Sequence, residues 1–306
     1  MKLEQVWSHT LNNNIAGGGV MPPITDPFNP LVFYISDGWG SYYSSMRLRK
    51  LSVETGEELA SILIRDSARC LHIERDRIFI ILNKRILEAD RESLQVLRTF
   101  KKGVPLYMDH VGFDGGSRLV MMNWMGGFLN VFDLNSETVR KKKTQNCCGI
   151  WREAEGTFLV MNGRRVHRYD LETHTLKKLT DTQPYTQCKL GESGKLYLLC
   201  KEAAEDTSKL VIYQTAARGE PQELVPGGLV NHFVLSLDET NVLLIQDHVI
   251  WLYSLPEWKP LLQYDFQDEF LFEDGLLTLH PYLFTYHCNK KRLTCWQVDN
   301  RSADII

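Results

Sequence analysis

Residues 166–179 read VHRYDLETHTLKKL, and this stretch decides the fold. Apolar residues alternate with polar ones on both sides of a polar, turn-forming centre at Leu171-Glu172-Thr173-His174. A period of two residues on either side of a polar turn is typical of a β-hairpin. The stretch therefore predicts two short strands joined by a tight turn, and the same pattern recurs in degenerate form along the chain.

Seven copies of the pattern align on the apolar residue that precedes Asp170 in the quoted stretch. The aligned residues are Leu51, Ala89, Phe132, Tyr169, Tyr213, Tyr253 and Trp296. Their mean spacing is about 41 residues, within the range of about 40 to 50 that is typical of propeller blades. Each period reads as about four short strands, separated by turn signals such as Asn162-Gly163. We therefore predict an all-β fold, a seven-bladed β-propeller with four-stranded antiparallel blades.

The two ends of the chain complement each other. Residues 3–11 read as a strand with no partner nearby in sequence, whereas the last repeat, within residues 270–299, supplies only three strands. An N-terminal strand in the outer position of the last blade would complete it and leave only short, protected edges. We predict that residues 3–11 close the propeller in this way.

The charge and hydropathy of the chain argue against several classes of partner. The net charge of −3 is too close to neutral to indicate a nucleic-acid or membrane surface. Lysine-rich segments at residues 101–102, 140–143 and 290–292 fall on predicted strand ends or turns, where solvated charge is the simpler interpretation. Apolar runs are far too short to span a membrane, and the N-terminus lacks the apolar core of a secretory signal. We expect a cytoplasmic monomer with no nucleic-acid or membrane partner.

The seven cysteines predict reduced thiols, because their number is odd and no secretory signal precedes them. Cys288 and Cys295 flank a predicted hairpin, so a cross-strand disulfide, or half a metal site with His280 and His287, is the alternative. The ligand spacings of zinc sites are absent. We therefore predict no metal and no cofactor, while pairing of the two cysteines stays open.

The repeats resemble those of seven-bladed β-propellers of the WD40-like and quinoprotein (PQQ)-like superfamilies. Phe132-Asp133 and Tyr169-Asp170 stand where the Trp-Asp dipeptide of a WD40 repeat lies. Residues 51–59 (LSVETGEEL) are similar to the strand-turn-strand of a quinoprotein-type repeat, and residues 233–240 (FVLSLDET) resemble the inner-strand turn often written Ser-Pro-Asp-Gly. The resemblance covers essentially the whole chain and implies one propeller domain, residues 1–306. It implies no particular activity, because propellers host scaffolds, ligand binders, lyases and hydrolases.

A candidate ligand site follows from propeller geometry. Connections between second and third strands, and those from an outer strand to the next inner strand, gather on one face of a propeller. On this face the sequence places six aromatic residues, namely Trp39, Tyr42, Tyr43, Tyr107, Trp124 and Tyr185. Aromatic rings supply apolar burial and their NH or OH groups supply orientation, which suits a peptide or small-molecule pocket. We predict these residues as ligand-binding; the alternative is that the loops merely cover their own blades.

Signals for catalysis are weaker. His110, His232, Arg69 and Asp109 fall near the same face, where a histidine would act as general base and Arg69 would stabilise an anion. No Gly-x-Ser-x-Gly or His-Glu-x-x-His motif is present. Residues 191–195 (GESGK) read as a hairpin turn rather than a phosphate loop, because Leu196 replaces the required Ser or Thr. Catalytic residues therefore stay unassigned.

Two classes of function remain. The first is a non-catalytic binding module that holds a protein, peptide or small molecule on the loop-rich face. The second is an enzyme, a lyase, cyclase or hydrolase, with its active site at the mouth of the central channel. The lack of an activated nucleophile, a metal triad or a cofactor clamp favours binding. Catalytic groups drawn from different blades would share no sequence spacing, so the enzyme alternative stays open.

Overall fold

A computed structural model describes residues 2–11, 20–38, 45–123, 126–145, 147–162, 164–183, 185–191, 193–202, 207–214, 220–226, 228–236, 238–246, 249–255, 257–266, 277–279, 282–287 and 291–299. Within these residues every regular element is a β-strand, and the strands form seven four-stranded antiparallel sheets. The predicted seven-bladed β-propeller is therefore confirmed.

The strands follow one another blade by blade along the chain. The N-terminal strand is β1 (Lys2–Thr10). Blade 1 consists of β2 (Val20–Asp26), β3 (Asn29–Asp37), β4 (Met46–Ser52) and β5 (Glu58–Ile64). Blade 2 consists of β6 (Ala68–Ile73), β7 (Arg77–Leu82), β8 (Ile86–Asp90) and β9 (Val96–Phe100). Blade 3 consists of β10 (His110–Phe113), β11 (Arg118–Met122), β12 (Phe128–Asp133) and β13 (Thr138–Lys143).

The remaining blades repeat this order. Blade 4 consists of β14 (Cys147–Ala154), β15 (Thr157–Asn162), β16 (Arg165–Asp170) and β17 (Thr175–Asp181). Blade 5 consists of β18 (Gln187–Leu190), β19 (Lys195–Glu202), β20 (Thr207–Gln214) and β21 (Gln222–Leu224). Blade 6 consists of β22 (His232–Leu235), β23 (Asn241–Gln246), β24 (Val249–Ser254) and β25 (Lys259–Asp265). Blade 7 consists of β26 (Leu277–Leu279), β27 (Tyr282–His287), β28 (Arg292–Asp299) and β1.

The chain divides into two compact units. One comprises Met1–Gly38, Arg47–Ser61 and Lys189–Ile306, and the other comprises Trp39–Met46 and Ile62–Cys188. In the second unit, the inner strand β10 lies between the inner strands β6 and β14. In the first unit, β26 lies beside β2 and β22. The organisation of residues 1–306 as one domain stays a prediction.

The aspartate of the repeated dipeptide recurs because its side chain stabilises the turn that follows it. Asp90, Asp133 and Asp170 each end the third strand of a blade, and one carboxylate oxygen of each accepts the backbone N–H three residues further on, over 2.7 Å. The turn then closes through a residue with φ between 53° and 57°, namely Leu94, Glu137 or His174. An Asp side chain that binds the backbone of its own turn favours this tight connection. The preceding residue is buried in each case, which explains the apolar position in the repeat.

Burial across a blade follows the position of each strand. Apart from their first residues, the second strands β7, β11 and β15 are buried throughout. The outer strand β13 is mostly exposed and polar. Aromatic and β-branched side chains fill the space between blades, and Phe79, Phe113 and Phe132 share one such cluster.

The N-terminal strand closes blade 7 as predicted. β1 runs antiparallel to β28, with Lys2 opposite Asp299 and Thr10 opposite Arg292. Residues 270–276 of the last repeat lie outside the described residues, and the first described strand of this blade is β26. Cys288 and His280 also lie outside them, so their predicted alternatives are untested. Cys295 is buried and its thiol donates to the Val53 carbonyl oxygen over 3.7 Å.

Candidate functional site

The connections that the sequence places on one face do meet in the second unit. The Tyr107 N–H donates to the Asn83 carbonyl oxygen, from the β9–β10 connection to the β7–β8 connection, over 3.4 Å. The Asn123 side chain in the β11–β12 connection donates to the Tyr107 carbonyl oxygen over 2.6 Å. Three connections of blades 2 and 3 are thus joined by hydrogen bonds. We call the surface that they form the loop face.

Four of the six predicted aromatic residues lie outside the described residues, namely Trp39, Tyr42, Tyr43 and Trp124. Tyr185 is described and is half-buried. Tyr107 is the other described member, and its side chain is exposed on the loop face. The ligand-binding role of all six stays a prediction.

Tyr107 has an unusual backbone conformation. Its φ is 57°, in the left-handed region that a bulky residue rarely adopts. Such a conformation costs on the order of 1–2 kcal/mol and persists only where surrounding contacts impose it. The hydrogen bonds from Asn123 and to Asn83 hold both sides of the residue. The loop therefore presents the Tyr107 ring to solvent at a cost in backbone energy.

Two further apolar side chains are exposed near Tyr107 in the fold. Leu106 is 51% exposed, Tyr107 45% and Phe128 47%. Leu106 precedes Tyr107 directly, and Phe128 opens β12 after the β11–β12 connection. We call Leu106, Tyr107 and Phe128 the apolar patch.

The register of β12 determines which side of blade 3 Phe128 lies on. Phe128 and Asn130 share one face, because side chains alternate along a strand. The Asn130 side-chain nitrogen lies 3.6 Å from the Met108 sulfur and donates to the Phe128 carbonyl oxygen over 3.3 Å. Met108 belongs to the same connection as Leu106 and Tyr107. Phe128 therefore lies on the side of blade 3 that faces the β9–β10 connection.

Two of the four catalytic candidates contact each other. The Arg69 guanidinium at the start of β6 donates to the Asp109 carboxylate just before β10, and both side chains are more than four-fifths buried. The neighbouring Cys70 thiol donates to the Met108 carbonyl oxygen over 3.5 Å. Burial raises the pKa of the Cys70 thiol far above its usual range, and the Asp109 charge adds to this shift. The pair fastens the segment that carries Leu106 and Tyr107 to blade 2.

The two histidine candidates belong to different units, and they are the first residues of the inner strands β10 and β22. His110 is half-buried, and burial lowers its pKa although the Asp109 charge acts in the opposite direction. His110 is therefore neutral at pH 7. His232 is also half-buried. Among the described residues, no group of three or more His, Cys, Asp or Glu side chains could hold a metal ion.

An acidic cavity lies at the opposite ends of the blade 3 and blade 4 strands. Its volume is about 450 Å³, and it is lined by Asp114, Gly116, Ser117, Arg118, Asp133, Glu155, Gly156 and Glu172. Arg118 bridges the two blades, since it donates to Asp114 over 2.7 Å and to Glu172 over 2.6 Å. Burial raises the pKa of Asp114, but hydrogen bonds from Arg118 and Gly116 outweigh it and the net shift is downward. Arg118 therefore joins blades 3 and 4 through one acidic side chain of each.

Several known structures resemble this architecture. The WD40 domain of Neurospora crassa Pan2 matches with a TM-score of 0.69 and 13% identity, over 99% of this chain and 96% of that one. The C-terminal WD40 domain of Sif2 matches with a TM-score of 0.67 and 9% identity, over 97% of this chain and 99% of that one. The propeller domain of Myceliophteria thermophila Cps50 (Swd1) matches with a TM-score of 0.62 and 12% identity, over 94% and 99%.

The chain has the seven-bladed propeller fold of WD40 domains. At these identities the likeness of the propeller to WD40 domains concerns the fold alone. No protein-family model matches the chain, and no curated protein matches it. The described part of the propeller contains no helix that is long and apolar enough to cross a membrane.

Sequence reasoning missed Leu106 and Phe128. Leu106 lies in a connection where a single apolar residue predicts nothing. Phe128 lies at a strand end, where an apolar residue is the normal expectation for the core. Their exposure depends on how the β9–β10 connection packs on blade 3, and no local signal in the sequence reports that.

Proposed function

We propose that the protein is a non-catalytic interaction module that binds a peptide segment of a partner protein on the loop face of blades 2 and 3. The apolar patch is the observation that carries this proposal. Leu106, Tyr107 and Phe128 each expose about half of their side chain to solvent. Exposed apolar side chains that cluster in one region mark interaction sites more often than chance, and Tyr is enriched among residues that dominate binding energy.

The conformation of Tyr107 supports the same function. A strained backbone that is held by two hydrogen bonds fixes the direction of the ring before any partner arrives. Pre-organisation of this kind lowers the entropy that is lost on binding. Connections that a rigid β-scaffold holds in place are common positions for binding residues.

Catalysis is less well supported than binding. The Arg69 guanidinium and the Asp109 carboxylate engage each other, and each is largely buried, so neither is presented to a substrate. Residence in the cytoplasm, the monomeric state and the single domain of residues 1–306 remain part of the proposal as predictions.

The test is selection from a random-peptide phage library on the immobilised full chain, followed by affinity measurements with the selected peptides. Tyr107→Ala and Phe128→Ser should each weaken binding by about tenfold or more, as expected for central contact residues. Leu59→Ser is the matched control, because Leu59 is 52% exposed and lies on the outer strand of blade 1. Its affinity should equal that of the unmodified chain.

Two results would overturn the proposal. The first is failure to enrich any peptide above the blank surface. The second is enrichment of peptides that bind Tyr107→Ala and Phe128→Ser as tightly as the unmodified chain. Circular dichroism and thermal unfolding of each variant establish that a loss of binding does not reflect a loss of fold.

A further inference from the structure

Tyr107 differs from the other residues that adopt a left-handed backbone. Within the described part of the chain, seven residues other than glycine have a positive φ. Six of them lie in turns between paired strands of one blade, namely Leu94, Glu137, His174, Glu239, Trp258 and Lys291. Tyr107 lies in the β9–β10 connection between two blades, where no hairpin requires this conformation. Its strain therefore needs a different cause.

The two ends of the segment around Tyr107 are fixed by burial. Val104 and Met108 are 8% and 5% exposed, and both belong to one buried cluster between blades 2 and 3. The Met108 carbonyl oxygen also accepts a hydrogen bond from the Cys70 thiol over 3.5 Å. Between these anchors, Leu106 and Tyr107 are exposed. A change of conformation in this segment is therefore confined to the part that carries the exposed side chains.

An asparagine stands at the end of the second strand in three successive blades. Asn83 follows β7, Asn123 follows β11, and Asn162 is the last residue of β15. The Asn83 N–H donates to the Ser67 carbonyl oxygen over 3.3 Å, and the Asn162 side chain donates to the Thr144 hydroxyl over 2.6 Å. In both cases the partner lies in the connection that enters the blade. The asparagines therefore join each blade to its incoming connection.

Asn123 binds its incoming connection in a different way. Its side-chain nitrogen donates to the backbone carbonyl oxygen of Tyr107 over 2.6 Å, whereas the Asn162 side chain donates to a hydroxyl group. A bond to this carbonyl oxygen fixes the orientation of the peptide group between Tyr107 and Met108. The other backbone bond of Tyr107, from its N–H to the Asn83 carbonyl oxygen, is long at 3.4 Å. The shorter bond from Asn123 is therefore the main restraint on the strained conformation.

We propose that Asn123 is a positioning residue of the peptide site, whose side chain holds Tyr107 in the conformation that presents its ring and does not itself contact the partner. This inference rests on the proposed function and names the residue that controls its affinity. A left-handed tyrosine is intrinsically disfavoured, so loss of the bond leaves the strained conformation as one of two competing states. A hydrogen bond of ordinary net strength shifts such an equilibrium about fivefold.

The population of the strained conformation sets the affinity. A partner that binds only this conformation has an apparent affinity reduced in proportion to the fraction of molecules that adopt it. The association rate falls by the same factor, because fewer encounters meet a correctly placed ring. The dissociation rate is unchanged, since the partner leaves from the same bound state. A residue that contacts the partner would instead act mainly on the dissociation rate.

The experiment compares the equivalent asparagines of blades 3 and 4 in the full chain. Asn123→Ala removes the bond to Tyr107, and Asn162→Ala removes a bond of the same length to Thr144. Asn162 is 3% exposed, so its replacement should cost at least as much stability as that of the half-buried Asn123. Asn123→Asp is a second variant, which keeps the size of the side chain and removes the donor. Urea unfolding establishes that each variant folds.

Binding is measured by surface plasmon resonance with phage-selected peptides that require Tyr107. Both Asn123 variants should bind about fivefold more weakly, through slower association and an unchanged dissociation rate. Asn162→Ala should bind like the unmodified chain in spite of its lower stability. In the Tyr107→Ala background, Asn123→Ala should have no further effect on affinity, because the side chain that it positions is absent.

A second readout needs no peptide. The full chain is labelled with 3-fluorotyrosine, and the fluorine-19 resonance of Tyr107 is assigned from its absence in Tyr107→Phe. This resonance should move in both Asn123 variants and should stay in place in Asn162→Ala.

Failure of this inference differs from failure of the proposed function. Tyr107-dependent peptides that bind the Asn123 variants as tightly as the unmodified chain would overturn the positioning role and leave the peptide-binding module standing. An equal loss of affinity in Asn162→Ala, a loss that lies in the dissociation rate, or an unchanged Tyr107 resonance would do the same. Absence of any peptide that requires Tyr107 would overturn both.

Discussion

The Trp7 indole N–H donates a hydrogen bond to the Val53 carbonyl oxygen over 2.6 Å, and this bond joins β1 to blade 1. The Trp7 ring also stacks on Phe33 of blade 1, at 6.1 Å between ring centroids, and packs against Phe284 of blade 7 at 5.8 Å. One side chain of the N-terminal strand therefore contacts both the blade that it completes and the neighbouring blade.

Trp7→Ala should lower the free energy of unfolding by about 2 to 4 kcal/mol, since it removes a partly buried aromatic ring and the indole hydrogen bond to the Val53 carbonyl oxygen. Trp7→Phe should keep most of the packing and lose about 1 kcal/mol. Urea unfolding measures both changes. Val6→Ala on the same strand is the control, because Val6 is 40% exposed and should change stability by less than about 0.5 kcal/mol.

Glu239 joins blades 5 and 6. Its carboxylate accepts hydrogen bonds from the Ser193 N–H over 2.5 Å, the Ser193 hydroxyl over 2.6 Å and the Tyr197 hydroxyl over 2.7 Å. Ser193 lies between β18 and β19, where the Gly191 N–H donates to the Lys195 carbonyl oxygen and the Gly194 N–H donates to the Gly191 carbonyl oxygen. Burial raises the pKa of Glu239, but the hydrogen bonds from Ser193 and Tyr197 outweigh it, so its pKa is lowered.

Because the pKa of the Glu239 carboxyl group is lower in the folded protein than in the unfolded chain, its ionised form stabilises the fold at pH values above the unfolded pKa. This contribution is lost as the pH falls through the lower, folded value. Glu239→Gln should lower stability by about 1 to 3 kcal/mol at pH 7. The difference between the variant and the unmodified chain should shrink below about pH 4. Glu220→Gln, at an exposed position, should show neither effect in urea unfolding at several pH values.

The ion pair of Arg69 and Asp109 should contribute to stability because both side chains are largely buried. Asp109→Asn is expected to lower the free energy of unfolding by about 1 to 3 kcal/mol, since it leaves the Arg69 charge without its partner. A double-mutant cycle with Arg69→Met should give a coupling energy of similar size. Glu92→Gln, which removes an exposed carboxylate beside Arg91, should change stability by less than about 0.5 kcal/mol. If Asp109→Asn and Glu92→Gln lower the free energy of unfolding by equal amounts, the buried pair contributes no more to stability than an exposed one.

Backbone strain at Tyr107 can be measured by comparing two substitutions that both remove the ring. Tyr107→Gly removes the steric strain of the left-handed conformation, whereas Tyr107→Ala keeps that strain. The glycine variant should be more stable than the alanine variant by about 1 kcal/mol in thermal or urea unfolding. A glycine variant that is less stable than the alanine variant would show that the conformation carries no strain.

Burial should protect two cysteine thiols from alkylation. Burial raises the pKa of Cys295 to about 12 and also raises that of Cys70, so both are protonated at pH 8. Only the thiolate reacts with iodoacetamide. Mass spectrometry after labelling at pH 8 should find both cysteines unmodified in the native protein and modified after unfolding in urea. Modification of either residue in the native protein would contradict its burial.

Part of the candidate site followed from local pattern. Tyr107 lies in a connection that the repeat register places on the loop face, so its position could be predicted before any contact was known. The pairing of Arg69 with Asp109 could not, because the two residues are 40 positions apart in the chain. They meet only because the inner strands β6 and β10 of successive blades pack side by side.

The sequence by itself determined the kind of strand, the number of blades and the closure of the last blade by the first strand. These features follow from the alternation of apolar and polar residues, from the residues in the turns and from the spacing of the repeats. Each of them can be read from the sequence without knowledge of tertiary contacts. Only the tertiary structure decided that Leu106 and Phe128 are exposed, and that Phe128 lies on the side of blade 3 that faces the β9–β10 connection. Exposure and proximity depend on the packing of residues distant in sequence, and no short stretch of the chain encodes them alone.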